Sequence, residues 1–69
     1  MEIKWVDGFE IKVIVDNGTV VISANKEGLL SLARQLHDLA EQTPGAHIHY
    51  GDYDSLEDGS VEMIIEKVR

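Results

Sequence analysis

The chain has 69 residues, with thirteen acids against six bases and a formal net charge of −7. Phosphate backbones are held by clustered Lys and Arg, so this balance argues against nucleic acid as a partner. Cysteine is absent, which excludes disulfides, thiolate metal sites and cysteine nucleophiles together.

A chain of this length is expected to form one α+β domain over residues 1–69. It buries only about 60% of the surface its unfolded form exposes, so the core is thin. The apolar runs are too short to span a membrane. Met1-Glu2-Ile3-Lys4-Trp5 lacks the plan of a secretory signal, and a cytoplasmic location is the default expectation. Acidity of this degree favours cationic partners and can steer their association. It also serves solubility alone.

Glu2 to Val6 reads as a first strand, closed by a tight Asp7-Gly8 turn. Phe9 to Val15 alternates, with Phe9, Ile11, Val13 and Val15 on one face. Asn17-Gly18 is the dipeptide best suited to a two-residue hairpin turn, and Thr19 to Ala24 is a β-branched returning strand. Asn25 is a natural helix N-cap, and Glu27 suits the positive end of the helix dipole. Leu29, Leu32, Ala33, Leu36, Leu39 and Ala40 recur at helical spacing and predict the buried stripe, with Ser31, Arg34, Gln35, Asp38 and Glu41 largely off it. Thr43-Pro44-Gly45 ends the helix. Ala46 to Tyr50 and Ser60 to Val68 complete the strands, the second after an Asp58-Gly59 turn. The expected architecture is therefore α+β: a five-stranded, mainly antiparallel sheet (β-β-β-α-β-β) with one helix packed on one face. Such a sheet leaves its other face open to water or a partner.

The chemistry-bearing residues gather at His47-Ile48-His49-Tyr50 and the acidic stretch that follows. Residues two apart on a strand share a face, so His47 and His49 point away from the helix while Ile48 points inward with Ala46 and Tyr50. Two imidazoles can ligate a divalent metal, but a zinc site needs a third or fourth ligand, to be drawn from Glu62, Glu66, Asp52 or Asp54. The other reading is cross-strand pairing of the histidines with glutamates, which would make the surface pH-sensitive. His37 sits at the edge of the helical stripe, where a hydrogen-bonded boundary position is expected.

Asp52 and Asp54 alternate as in a calcium loop, yet Leu56 and Glu57 stand where an EF-hand needs an oxygen ligand and a glycine. A mobile acidic surface with Tyr53 as its aromatic anchor fits better, beside the reading as an ordinary solvated connection. Trp5 is read as a core piece. No nucleophile elbow and no glycine-rich phosphate loop is present. No catalytic residue, cofactor or resident metal is therefore expected, and the chain is read as a non-enzyme.

Three stretches carry a resemblance: Asn25-Lys26-Glu27-Gly28-Leu29-Leu30-Ser31-Leu32-Ala33, His47-Ile48-His49, and Leu56 to Lys67 with its Gly59-Ser60-Val61-Glu62 segment. Over about Asn25 to Lys67 the chain resembles the immunity protein 32 family of bacterial polymorphic toxin systems. The resemblance implies a cytoplasmic α+β protein, encoded beside a toxin, that binds and neutralises that toxin. A basic toxin suits the charge. The expected contact surface is His47 and His49 on the open face, with Asp52, Tyr53, Asp54, Glu57 and Asp58 at its edge. Two other functions stay in view: a small metal-binding module built on His47 and His49, and a self-associating homodimer in which the sheet face bearing Ile14 and Ile64 meets its copy.

Overall fold

Asn17 and Gly18 turn the chain with φ of 52° and 78° in the computed structural model, which describes residues 1–69. Positive φ at both positions matches the right-handed twist of the strands they join. These are β1 (Ile11–Asp16) and β2 (Thr19–Ala24), paired antiparallel with Asp16 opposite Thr19 and Val13 opposite Ile22. Ile11 and Val13 enter the core, but Val15, on the same face, is exposed. The hairpin therefore projects beyond the core that its base helps to build.

Helix α1 (Lys26–Ala40) begins at Asn25 as expected, the Asn25 Oδ1 accepting from the Gly28 N–H at 2.8 Å. The same oxygen accepts from the Glu10 N–H at 2.9 Å, and Asn25 Nδ2 donates to the Gly8 carbonyl at 2.9 Å. One side chain thus caps the helix and ties it to the segment that leads into β1. At the other end Lys67 Nζ donates to the carbonyls of Ala40 and Gln42 at 2.7 and 2.6 Å. It satisfies carbonyls that no helical N–H can reach, at the negative end of the dipole. Lys67→Met is expected to cost about 1 kcal/mol, measured by urea unfolding. An unchanged midpoint would show the contact to be idle.

The remaining strands are β3 (His47–Tyr50) and β4 (Met63–Glu66), antiparallel with His47 opposite Glu66 and Tyr50 opposite Met63. The five-stranded sheet is corrected to four strands in two antiparallel pairs, β1-β2 and β3-β4, with the order β-β-α-β-β. Two causes are visible. A tight turn, Glu57 to Ser60, presses on the outer edge of β1, where the Glu57 and Val61 N–H groups donate to the Ile11 and Val13 carbonyls at 2.8 Å each. Between those bonds the Val13 N–H goes to Ser60 Oγ at 3.1 Å. A hydroxyl thus stands where a regular ladder needs a backbone carbonyl, and β4 starts only at Met63, short of the expected Ser60.

The second cause concerns Glu2–Val6, which forms no strand. Backbone polar groups must find partners, and here the helix supplies them. The Val6 N–H donates to Ser31 Oγ at 2.9 Å, and Gln35 Nε2 donates to the Lys4 carbonyl at 2.9 Å. The segment is a strap across the helix, followed by the expected Asp7-Gly8 turn with the Phe9 N–H bonded to the Val6 carbonyl. Ser31 and Gln35 are accordingly fully buried, while Leu29, Leu36, Ala33 and Ala40 are exposed. The buried face is Gly28, Ser31, Leu32, Gln35 and Leu39, rotated from the stripe that apolar spacing predicts.

The core consists of Ile11, Val13, Leu32, Leu39, Ile48, Tyr50 and Leu56, with Ile3, Trp5, Phe9 and Met63 among the partly buried residues around it. At its centre Tyr50 is fully buried and donates its hydroxyl to Gln35 Oε1 at 2.8 Å. Burial pushes that hydroxyl up from 10.0 to about 12. Strap, helix and β3 are thereby joined by one hydrogen-bonded path, from the Lys4 carbonyl through Gln35 to Tyr50.

Candidate partner-binding site

Alternation along β3 does what the spacing predicts: His47 and His49 are exposed, and Ile48 and Tyr50 are buried. Tyr50 locks the strand from inside, so the imidazoles are carried on a rigid element. Their surroundings differ. His49 Nε2 lies 2.7 Å from Glu62 Oε2, an exposed cross-strand pair. His47 meets no carboxylate; its Nδ1 is 3.3 Å from the Gly45 carbonyl oxygen. No three His, Cys, Asp or Glu side chains gather closely enough to hold a metal ion. The metal reading is left without a ligand set, and His49 adopts the cross-strand pairing instead.

Beyond Tyr50 the chain closes on itself rather than running free. The N–H groups of Asp54, Ser55 and Leu56 all donate to the Gly51 carbonyl. Asp54 Oδ1 accepts from the Gly51 N–H at 3.3 Å and from Ser55 Oγ at 3.0 Å. Leu56 is buried and anchors the far side of the turn. The stretch forms a hydrogen-bonded turn whose outer surface carries Asp52 and a fully exposed Tyr53.

A cleft of about 270 Å³ opens beside β3. The strap residues Met1, Ile3 and Trp5 form one wall; His47, His49 and Asp54 line the other. Trp5 stacks on Phe9 with ring centroids 4.2 Å apart and meets the edge of Tyr50 at 6.2 Å. It belongs to the core as expected, and it also faces the cleft. That second role had no signal in the sequence, because the strap reaches β3 only through tertiary contacts. Glu57 and Asp58 belong elsewhere: they sit in the turn against β1, where Glu57 shares a shallow depression with Lys12 and Glu10. Of the seven expected contact residues, the fold brings His47, His49 and Asp54 to one cleft and keeps Asp52 and Tyr53 on the adjoining turn. His37 is exposed, and its Nδ1 lies 3.9 Å from Asp38 Oδ1. That is too long for the hydrogen bond expected there.

The acids carry their charge unmasked. The ion contacts within 4 Å are those of His37 with Asp38 and His49 with Glu62, and no Lys or Arg pairs with a carboxylate. The fold is that of a small α+β protein, with polar groups displayed on β3 and an acidic turn beyond it. The immunity protein 32 family model matches residues 19–68, and the chain belongs to that family. It is an immunity protein and not an enzyme, and its family implies a cognate toxin as partner. No curated protein and no solved structure matches the chain. No helix is long and apolar enough to cross a membrane.

Proposed function

We propose that the chain neutralises a basic toxin in the cytoplasm of the producing cell, binding it through the outer edge of β3 and the acidic turn beyond it. The observation that carries this surface is the meeting of His47, His49, Asp54 and Trp5 in one cleft, with a fully exposed Tyr53 beside it. An aromatic ring held among charges on a bonded turn has the make-up of an interface hot spot. Unpaired carboxylates supply a long-range field that draws a cationic partner in before contact. Glu57 and Asp58, on the β1 side, contribute to that field and lie outside the cleft.

The test is co-expression with the product of the neighbouring gene, scored for rescue of growth and for co-purification. For a purified pair, Asp52→Asn, Glu57→Gln and Asp58→Asn together are expected to slow association and flatten its salt dependence, with dissociation little changed. Tyr53→Ala is expected to weaken the complex about tenfold, mainly by faster dissociation. Unchanged association and an unchanged salt slope in the triple variant would show that these acids do not steer the toxin.

A further inference from the structure

The geometry points to a two-fold homodimer formed by antiparallel pairing of β2 with β2 of a second copy, centred on Val21. In the β1-β2 ladder, Asp16 and Thr19 flank a two-residue turn, so Thr19, Val21 and Ser23 direct their N–H and C=O groups toward β1. The bond from the Asn25 N–H to the Glu10 carbonyl continues that alternation. Val20 and Ile22 therefore present theirs at the free edge. On β1 the equivalent outward groups of Ile11 and Val13 are covered by the Glu57–Ser60 turn, whereas nothing covers β2. Free edges are usually guarded by Lys, Pro or a bulge. Thr19–Ala24 has none of these, and five of its six residues are exposed.

A second copy fits this edge in register, face and charge. Centring on Val21 sets Val20 opposite Ile22 of the second copy, so the outward N–H and C=O groups of both meet in a hydrogen-bonded pair. The same register keeps faces matched: Val20 and Ile22 share the helix-bearing face, and Thr19 lies opposite Ser23 on the other. Val20 is 61% and Ile22 43% exposed in the single chain. The helix adds to the patch. The strap and β3 occupy the Ser31 flank of α1, leaving Leu29 (56% exposed) and Leu36 (42%) on the flank toward β2. A two-fold axis normal to the sheet keeps both helices on one face and turns these leucines toward each other. Charge agrees as well. β2 carries none of the thirteen acids, so two chains of net charge −7 meet along a neutral strand. Antiparallel alignment also brings Lys26, at each helix start, toward the hairpin end of the other copy, which carries Asp16. This interface differs from the Ile14 and Ile64 face and leaves both β3 clefts free at the outer ends.

The test combines solution mass with amide hydrogen exchange on the full chain. Sedimentation at micromolar to millimolar protein is expected to give twice the 7.7 kDa of the chain, with the Val20 and Ile22 amides protected. Ile22→Pro leaves the β1 ladder whole, because that N–H does not face β1, and is expected to yield a folded monomer. Leu29→Glu, at an exposed site, is expected to weaken the dimer without unfolding the chain. A native chain that stays monomeric with fast-exchanging Val20 and Ile22 amides would overturn the proposal. So would a dimer that survives both substitutions. Protection of these amides only on adding the neighbouring gene's product would assign the edge to that protein instead, and would equally overturn it.

Discussion

Gly28→Ala is expected to destabilise the protein by about 2 to 4 kcal/mol, although alanine is the better helix former. A Cβ at Gly28 would lie 2.5 Å from the Glu10 carbonyl oxygen, 2.9 Å from Ile11 Cγ1 and 3.1 Å from the Ala24 Cβ. The first contact is with backbone, which no rotamer change relieves. Moving the helix away would strain the Asn25 N–H bond to the Glu10 carbonyl and the Glu10 N–H bond to Asn25 Oδ1. The helix-propensity gain is about 1 kcal/mol. Overpacking costs about 1 to 3 kcal/mol, and each hydrogen bond about 1 kcal/mol more. In a domain this small, whose core supplies about 3 to 5 kcal/mol, the loss removes much of the stability. Thermal unfolding followed by circular dichroism should show a Tm lower by roughly 8 to 30 °C, and Gly28→Val should not fold at all. An alanine variant as stable as the natural protein would show that the helix rides free of the hairpin.

The second large effect runs through the buried path of Gln35 and Tyr50. Gln35→Leu keeps the bulk but leaves the Tyr50 hydroxyl and the Lys4 carbonyl without their partners. The expected cost is about 2 to 4 kcal/mol, since a buried polar group left unpaired loses its full solvation. Tyr50→Phe is milder, about 1 to 2 kcal/mol, because the ring stays in place and one acceptor, Gln35 Oε1, is stranded. The pair also has a pH signature. Tyr50 titrates at about 12 in the folded chain against 10.0 when unfolded. Its raised value means that the unfolded state releases the proton first. The stabilisation is fully present below pH 10.0 and is lost as pH rises toward about 12. The difference amounts to about 3 kcal/mol. Urea unfolding between neutral and alkaline pH should show this decline in the natural protein and a flatter one in Tyr50→Phe. Parallel pH profiles would mean that Tyr50 is not the group responsible.

Much of the fold was legible because much of it is local. Asn17-Gly18 specifies its own turn, Thr19–Ala24 its own strand, and Asn25 its own cap, each through backbone preferences that act within a few residues. The alternation that buries Ile48 and Tyr50 and exposes His47 and His49 is likewise a property of four adjacent residues. The candidate site was legible to the same depth. Its histidines and its acidic turn could be read, but the wall formed by Met1, Ile3 and Trp5 could not, since that segment meets β3 from the other end of the chain.

The helix shows where local pattern stops deciding. Leucine spacing gives α1 its shape, yet two polar residues, Ser31 and Gln35, take the centre of the buried face and Leu29 and Leu36 turn outward. The reason lies in the strap. With no ladder beside it, the Val6 N–H and the Lys4 carbonyl need partners inside the protein, and a hydroxyl and an amide meet that need where a leucine cannot. The same accounting of backbone groups separates the two strand pairs, where Ser60 Oγ replaces a ladder carbonyl, and leaves β2 with an uncovered edge. The sequence by itself determined the hairpin, the helix and its cap, the outward histidines and the acidic character of the surface, because each rests on short-range chemistry or on composition. Tertiary structure decided which helical face is buried, where the sheet breaks, which acids join the histidines and which edge stays open. Those depend on where hydrogen-bonding groups distant in sequence find one another.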